Sequence, residues 1–331
     1  GTRVIAKDAG GRKAALDKLA LSQALTDFLQ HDLLGQAGSK AQANRGQTPQ
    51  PNLSVREALD RAGEVLGERF HDRPELEASI RQTIGTMHRE LGEPQKAVKQ
   101  LQRAEELSKS SGGHHTHETL SIQHDLAGAY RESGRLKDAV SLFQSVRERR
   151  AAVLGIEHAE TVSTMNSLAL AWRAAGQFAK SIELLEEVLK LRTRLHGPED
   201  PRTLTTRDNL SNAAIDVGDP AKAVAILKEV ADMRARVLSP EHPDTIHTLS
   251  NLASAHLAGN DTRAAEEVLV PLLAVSLRVM SASHPYTLEI RKGLAIIEAK
   301  KGRILQAIAL FEELQRDYER QGGLDLSLIH I

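Results

Sequence analysis

Apolar positions recur at helical spacing along most of this chain, and that recurrence itself repeats. Over residues 182–191, Ile182, Leu184, Leu185, Val188, Leu189 and Leu191 form a wide helical stripe. No segment shows the sustained alternation of a strand. Gly92, Gly134, Gly176, Gly218, Asn260 and Gly302 each stand 42 residues after the one before. A left-handed residue at such a point ends one helix and lets the next begin. Gly adopts that conformation without steric cost, and Asn tolerates it best after Gly. Five residues further on come Ala97, Ala139, Ser181, Ala223, Ala265 and Ala307, small enough for two helices to lie close.

Other columns share the period. Ile84, Leu126, Leu168, Leu210, Leu252 and Leu294 precede each turn by eight residues, each followed by Gly, Ala or Ser. Gly113, Gly155, Gly197, Ser239 and Ser281 end the second helix of a pair. Thr119, Thr161, Thr203, Thr245 and Thr287 open the first helix of the next. Glu118, Glu160 and Asp244 suit a helix N-terminus, and Arg150, Arg192 and Arg234 suit a C-terminus. No pair can bury all its apolar surface alone, so the pairs must stack.

These marks divide the chain. Residues 1–35 are expected to hold an N-terminal amphipathic helix, 36–52 a flexible linker rich in Gly, Gln, Asn, Ser and Pro, and 53–72 a capping helix. That helix opens at Ser54, with Glu57 three residues on as a capping box. Six repeats follow over 74–320, at about 74–113, 114–155, 156–197, 198–239, 240–281 and 282–320. Residues 321–331 read as a disordered or artefactual tail, the last six resembling a translated sequencing-adapter fragment.

Composition narrows the function. Lys and Arg number 43 against 44 Asp and Glu, so no overall charge draws the chain to nucleic acid or an anionic membrane. Cys is absent, which removes disulfides and thiolate metal sites. No run of about 18 apolar residues is present to span a membrane.

The 42-residue period, with phrases such as Leu238-Ser239-Pro240-Glu241-His242-Pro243-Asp244-Thr245 and Asn251-Leu252-Ala253, resembles the tetratricopeptide repeats of kinesin light chains over residues 74–320. That resemblance implies an all-α fold: a right-handed α-solenoid of six tetratricopeptide helix pairs with an N-terminal helical extension. It also implies a concave groove lined by the first helices, which binds a protein or peptide. Before the repeats, Phe28-Leu29-Gln30-His31-Asp32-Leu33-Leu34, Leu53-Ser54-Val55-Arg56-Glu57-Ala58-Leu59 and Pro74-Glu75-Leu76-Glu77 are similar to the region C-terminal to the kinase domain of bacterial, planctomycete-type serine/threonine protein kinases, over residues 28–107. This second resemblance implies a kinase domain, often with a membrane span, upstream of Gly1. The chain would then be cytoplasmic by default, or the soluble part of a membrane-anchored kinase.

The chain itself carries no phosphate loop, kinase catalytic loop or nucleophile elbow. His117-Glu118 begins a zinc-protease motif, but Ser121 stands where the second His ligand belongs. The cluster His114, His115 and His117 reads as loop polarity rather than a metal site. The expectation is therefore no catalytic residue, cofactor or metal. The groove candidates are Arg131, Ser167, Arg173, Asn209, Asn212, Asn251 and Ser254. Asn can pair with both N–H and C=O of an extended peptide, and the two Arg can clamp a carboxylate. Trp172 and Tyr130 share a column that suits packing between helices better than base stacking. Two readings result: a protein-interaction scaffold, or the sensory or substrate-docking half of a kinase. Self-association through the repeat ends is a third expectation.

Overall fold

In a computed structural model, residues 54–112 and 116–320 are described, and they form thirteen α-helices with no strand among the described residues. They are α1 (Val55–Arg69), α2 (Pro74–Glu90), α3 (Pro94–Gly112), α4 (His117–Glu132), α5 (Leu136–Leu154), α6 (Ala159–Ala174), α7 (Phe178–His196), α8 (Pro201–Asp216), α9 (Pro220–Val237), α10 (Pro243–Ala258), α11 (Thr262–Val279), α12 (Pro285–Lys300) and α13 (Ile304–Arg320). The expected N-terminal helix and linker, the tail, and His114 and His115 lie outside the described residues.

The turn column explains the pairing. All six of its residues have positive φ, from 61° at Asn260 to 81° at Gly218. Each turn closes as a Schellman motif. The Glu93 N–H donates to the His88 carbonyl at 2.8 Å across Gly92, and the Asp261 N–H donates to the His256 carbonyl at 2.8 Å across Asn260. The small residue five positions later is buried in every pair.

Two compact units divide the chain, one running to Val153 and the other from Leu154. In the first, α1 opens with Ser54 and Glu57 bonded reciprocally as a capping box. It packs on α2 through Leu59, Ala62, Leu66, Ile80 and Ile84. Arg81 ties α2 to its neighbours, donating to the Gly63 carbonyl at 3.3 Å and to Gln100 at 2.7 Å. The first helices α2 and α4 are joined by Gln82 to Asp125 at 2.6 Å and Arg89 to Glu132 at 2.7 Å. His124 on α4 meets the Phe143 ring on α5 edge-on.

In the second unit α6 to α13 pair in order, and the first helices α6, α8, α10 and α12 also contact one another in sequence. The core sits between the layers of first and second helices. Leu185, Leu227 and Leu269 occupy one register position and are at most 1% exposed, whereas Phe311, at the same position in the final helix, is only partly buried. Leu227 packs with Leu252 and Ala255 of the following pair, and Leu269 with Ile290 and Ile297 of the next; α13 is the last described helix. Ile304, Leu305 and Ile308 on α13 are exposed.

Candidate functional site

The first helices of the second unit are started by side chains that stand just before the Thr column. Thr203, Thr245 and Thr287 are buried in the first turn, three residues inside the helix. The N-caps are His158, Asp200, His242 and His284. At His242 the Nδ1 accepts from the Asp244 N–H at 3.1 Å, and at His284 from the Tyr286 N–H at 3.2 Å. An imidazole acceptor here does the work usually given to Ser or Asp. His158, His242 and His284 are thus explained as caps. Among the described residues no three His, Asp or Glu come together to hold a metal.

Six of the seven groove candidates lie on α6, α8 and α10, and Arg131 lies at the end of α4 in the first unit. Asn209, Asn212 and Asn251 are partly exposed. The Asn209 amide donates to the Asn166 oxygen at 3.3 Å, which joins α8 to α6. Asn251 lies 3.5 Å from His247 one turn earlier, and Ser254 donates back to the Ser250 carbonyl. An amide side chain offers about four hydrogen-bonding sites, so these contacts leave most of the capacity of Asn209 and Asn251 for a ligand. Ser167 shares the face. The two arginines differ from the amides in being engaged already. Arg173 forms a two-pronged pair with Asp216 of α8, and Arg131 is held by Glu132 at 3.3 Å. Either must leave its acid to clamp a ligand carboxylate. Beside the amides Leu170, Ile215 and Ile296 are partly exposed.

Beneath this face lies a buried layer that the sequence reading assigned only to helix dipoles. Arg192 and Arg234 sit in the second helices but reach into the next pair. Arg192 donates to the Arg202 carbonyl and the Thr206 hydroxyl, both at 2.8 Å. Arg234 makes the equivalent bonds to the Asp244 carbonyl at 3.0 Å and to Thr248 at 2.5 Å. Where Arg234 differs is in having a carboxylate: Asp208 lies 2.6 Å away, each side chain 4% exposed. Burial pushes the Asp208 carboxyl up to about 6 against the pull of Arg234. His247, stacked on Tyr286 at 4.7 Å, is held below its ordinary value by burial and then by Arg234. Burial raises the Tyr286 phenol, helped by Asp244. The available signal was the Arg column itself: a cation kept at one register position in three consecutive pairs.

Paired helices at a 42-residue period, closed by left-handed turns and pinned by buried arginines, define a stacked helical-repeat protein. The tetratricopeptide repeat model matches residues 75–152, 118–189, 160–236 and 213–270, more than half of the chain, and the chain belongs to that family. Proteins of this fold generally mediate protein–protein interaction. The chain is similar to a Podosopora anserina protein described as a kinesin light chain, with nearly identical TPR-like repeats: 29% identity over 61% of this chain and 95% of that one, TM-score 0.50. It shares its fold with NprR in complex with its cognate peptide NprX, at 13% identity over 78% of this chain and 71% of that one, TM-score 0.58. It also shares its fold with Rap protein complexed with competence and sporulation factor, at 11% identity over 92% and 99%, TM-score 0.58. No curated protein matches the chain. No described helix is long and apolar enough to cross a membrane.

Proposed function

We propose that this chain is a protein-interaction scaffold that holds an extended peptide of a partner protein against the first helices of its second unit. The supporting observation is the placement of Asn209 and Asn251 at one register position on two neighbouring first helices, partly exposed and mostly unspent in hydrogen bonding. Amides at this repeat spacing can pair with the main chain of a peptide regardless of its sequence, while Leu170, Ile215 and Ile296 beside them select apolar side chains. NprR, a relative in fold, holds its cognate peptide, which agrees with this use. The experiment is calorimetry with a peptide selected from a random display library. Asn209→Ala with Asn251→Ala is expected to weaken binding at least tenfold without unfolding the chain. Unchanged affinity in the double variant rejects the groove assignment.

A second reading makes these repeats the sensory or substrate-docking half of a serine/threonine protein kinase. It rests on the resemblance of residues 28–107, of which the Ser54–Glu57 cap and α1 are described. Kinase motifs in the reading frame upstream of Gly1 would support it, and a frame without them removes it.

A further inference from the structure

Asp208 is the one acid in its register column, whose other members are Gln82, His124, Asn166, Ser250 and Lys292. It is also where three helices of the second unit meet. Its carboxylate on α8 pairs with Arg234 of α9 at 2.6 Å. Thr248 of α10 lies 3.3 Å from its Oδ2, and the Thr248 hydroxyl is shared between that oxygen and the Asp244 carbonyl at 3.1 Å. Asn209 is the next residue along α8, and Asn251 stands one turn after Thr248 on α10. The carboxylate therefore connects the two helices that carry the candidate peptide ligands.

The charged and titratable groups around it are few. Helix α9 supplies Arg234, α10 supplies Asp244 and His247, and α12 supplies Tyr286. Helix α7 brings Arg192, which bonds instead to Thr206 and the Arg202 carbonyl of α8. Helix α6 brings the uncharged Asn166 to Asn209, while its Arg173 is occupied by Asp216 at the end of α8.

We propose that Asp208, Arg234 and Thr248 form a proton-operated clamp between α8 and α10 that sets the relative geometry of Asn209 and Asn251. With Asp208 ionised, the carboxylate holds the guanidinium and accepts from Thr248. When it takes up a proton, the attraction to Arg234 is lost and the carboxyl becomes a donor. Thr248 then turns wholly to the Asp244 carbonyl, and the link between the two first helices is released. Burial raises this carboxyl to about 6, so the change falls in mildly acidic solution. Its consequence for peptide affinity rests on the groove reading; the clamp does not.

The test needs no ligand. The full chain, isotope-labelled, is titrated by NMR from pH 8 to 4.5. The Asp208 carboxyl carbon is expected to titrate with a midpoint near pH 6. The side-chain amide signals of Asn209 and Asn251 should follow with the same midpoint. In a His247→Gln background, which removes the imidazole 3.5 Å from the Asn251 amide, both amide transitions should vanish in Asp208→Asn. In the same background Thr248→Val should keep the Asn209 transition and lose that of Asn251, an arm that stands if Asp208→Asn fails to fold. A carboxyl that stays ionised below about pH 5, amide signals flat through the range, or transitions that survive in both variants overturn the proposal. If no peptide ever binds, these shifts are still expected, so the two failures are distinguishable.

Discussion

Replacing Leu227 by alanine, and separately Phe311 by alanine, asks whether each pair depends on the next for its burial. The two side chains hold the same register position in α9 and α13, and both lie in the second unit. Leu227 is wholly buried, whereas Phe311 is only partly so. Removing three buried carbons from Leu227 forfeits roughly 2.4 kcal/mol of transfer free energy at ~0.8 kcal/mol per methylene. The cavity left in a packed core brings the cost to about 3–4 kcal/mol. Phe311→Ala removes a larger side chain, but one already facing solvent on one side, and no closed cavity results; it should cost under about 2 kcal/mol. Urea denaturation followed by circular dichroism gives both values. If Phe311→Ala proves as costly as Leu227→Ala, something covers α13 in solution, and the stacking account of that end fails.

Three further outcomes follow from side chains with defined jobs. Asp208 holds its proton more tightly folded than unfolded, because its carboxyl rises from 3.8 to about 6. Its ionisation therefore subtracts from stability: nothing below pH ~4, rising to about 3 kcal/mol by pH ~6 and constant above. The stability of wild type minus that of Asp208→Asn should fall by about that amount between pH 4 and 7, and a flat difference contradicts it. His242 caps α10 by accepting at Nδ1, so His242→Asn should be near neutral and His242→Ala should cost about 1 kcal/mol in melting experiments at pH 8. Asn260 stands at φ 61°, so Asn260→Ala should lower stability by about 1 kcal/mol while Asn260→Gly should not, as read by thermal unfolding.

The turns were legible in the sequence because a positive φ admits few residue types. Six positions in one register carrying five Gly and one Asn therefore reveal the backbone. The core columns were legible for a similar reason, since burial at every repeat leaves a run of Leu, Ile and Ala. The polar layer was not. Arg234 near a helix end satisfies a dipole argument, yet its bonds go ten and fourteen residues forward, into the next pair. Arg173 and Asp216 are 43 residues apart and pair only because α6 and α8 lie side by side. The Thr column has the composition of a cap, but the cap is three residues earlier and is His in three of the second unit's four first helices. A column shows which position is constrained; only its neighbours in space show by what.

The claim that matters most is that a partner's peptide lies on the first helices of the second unit. A crystal structure of the full chain with a display-selected peptide addresses it directly. An extended peptide is expected to cross α6, α8 and α10, its main chain bonded to the amides of Asn209 and Asn251. A peptide seated on the second helices, or at the exposed face of α13, would contradict it.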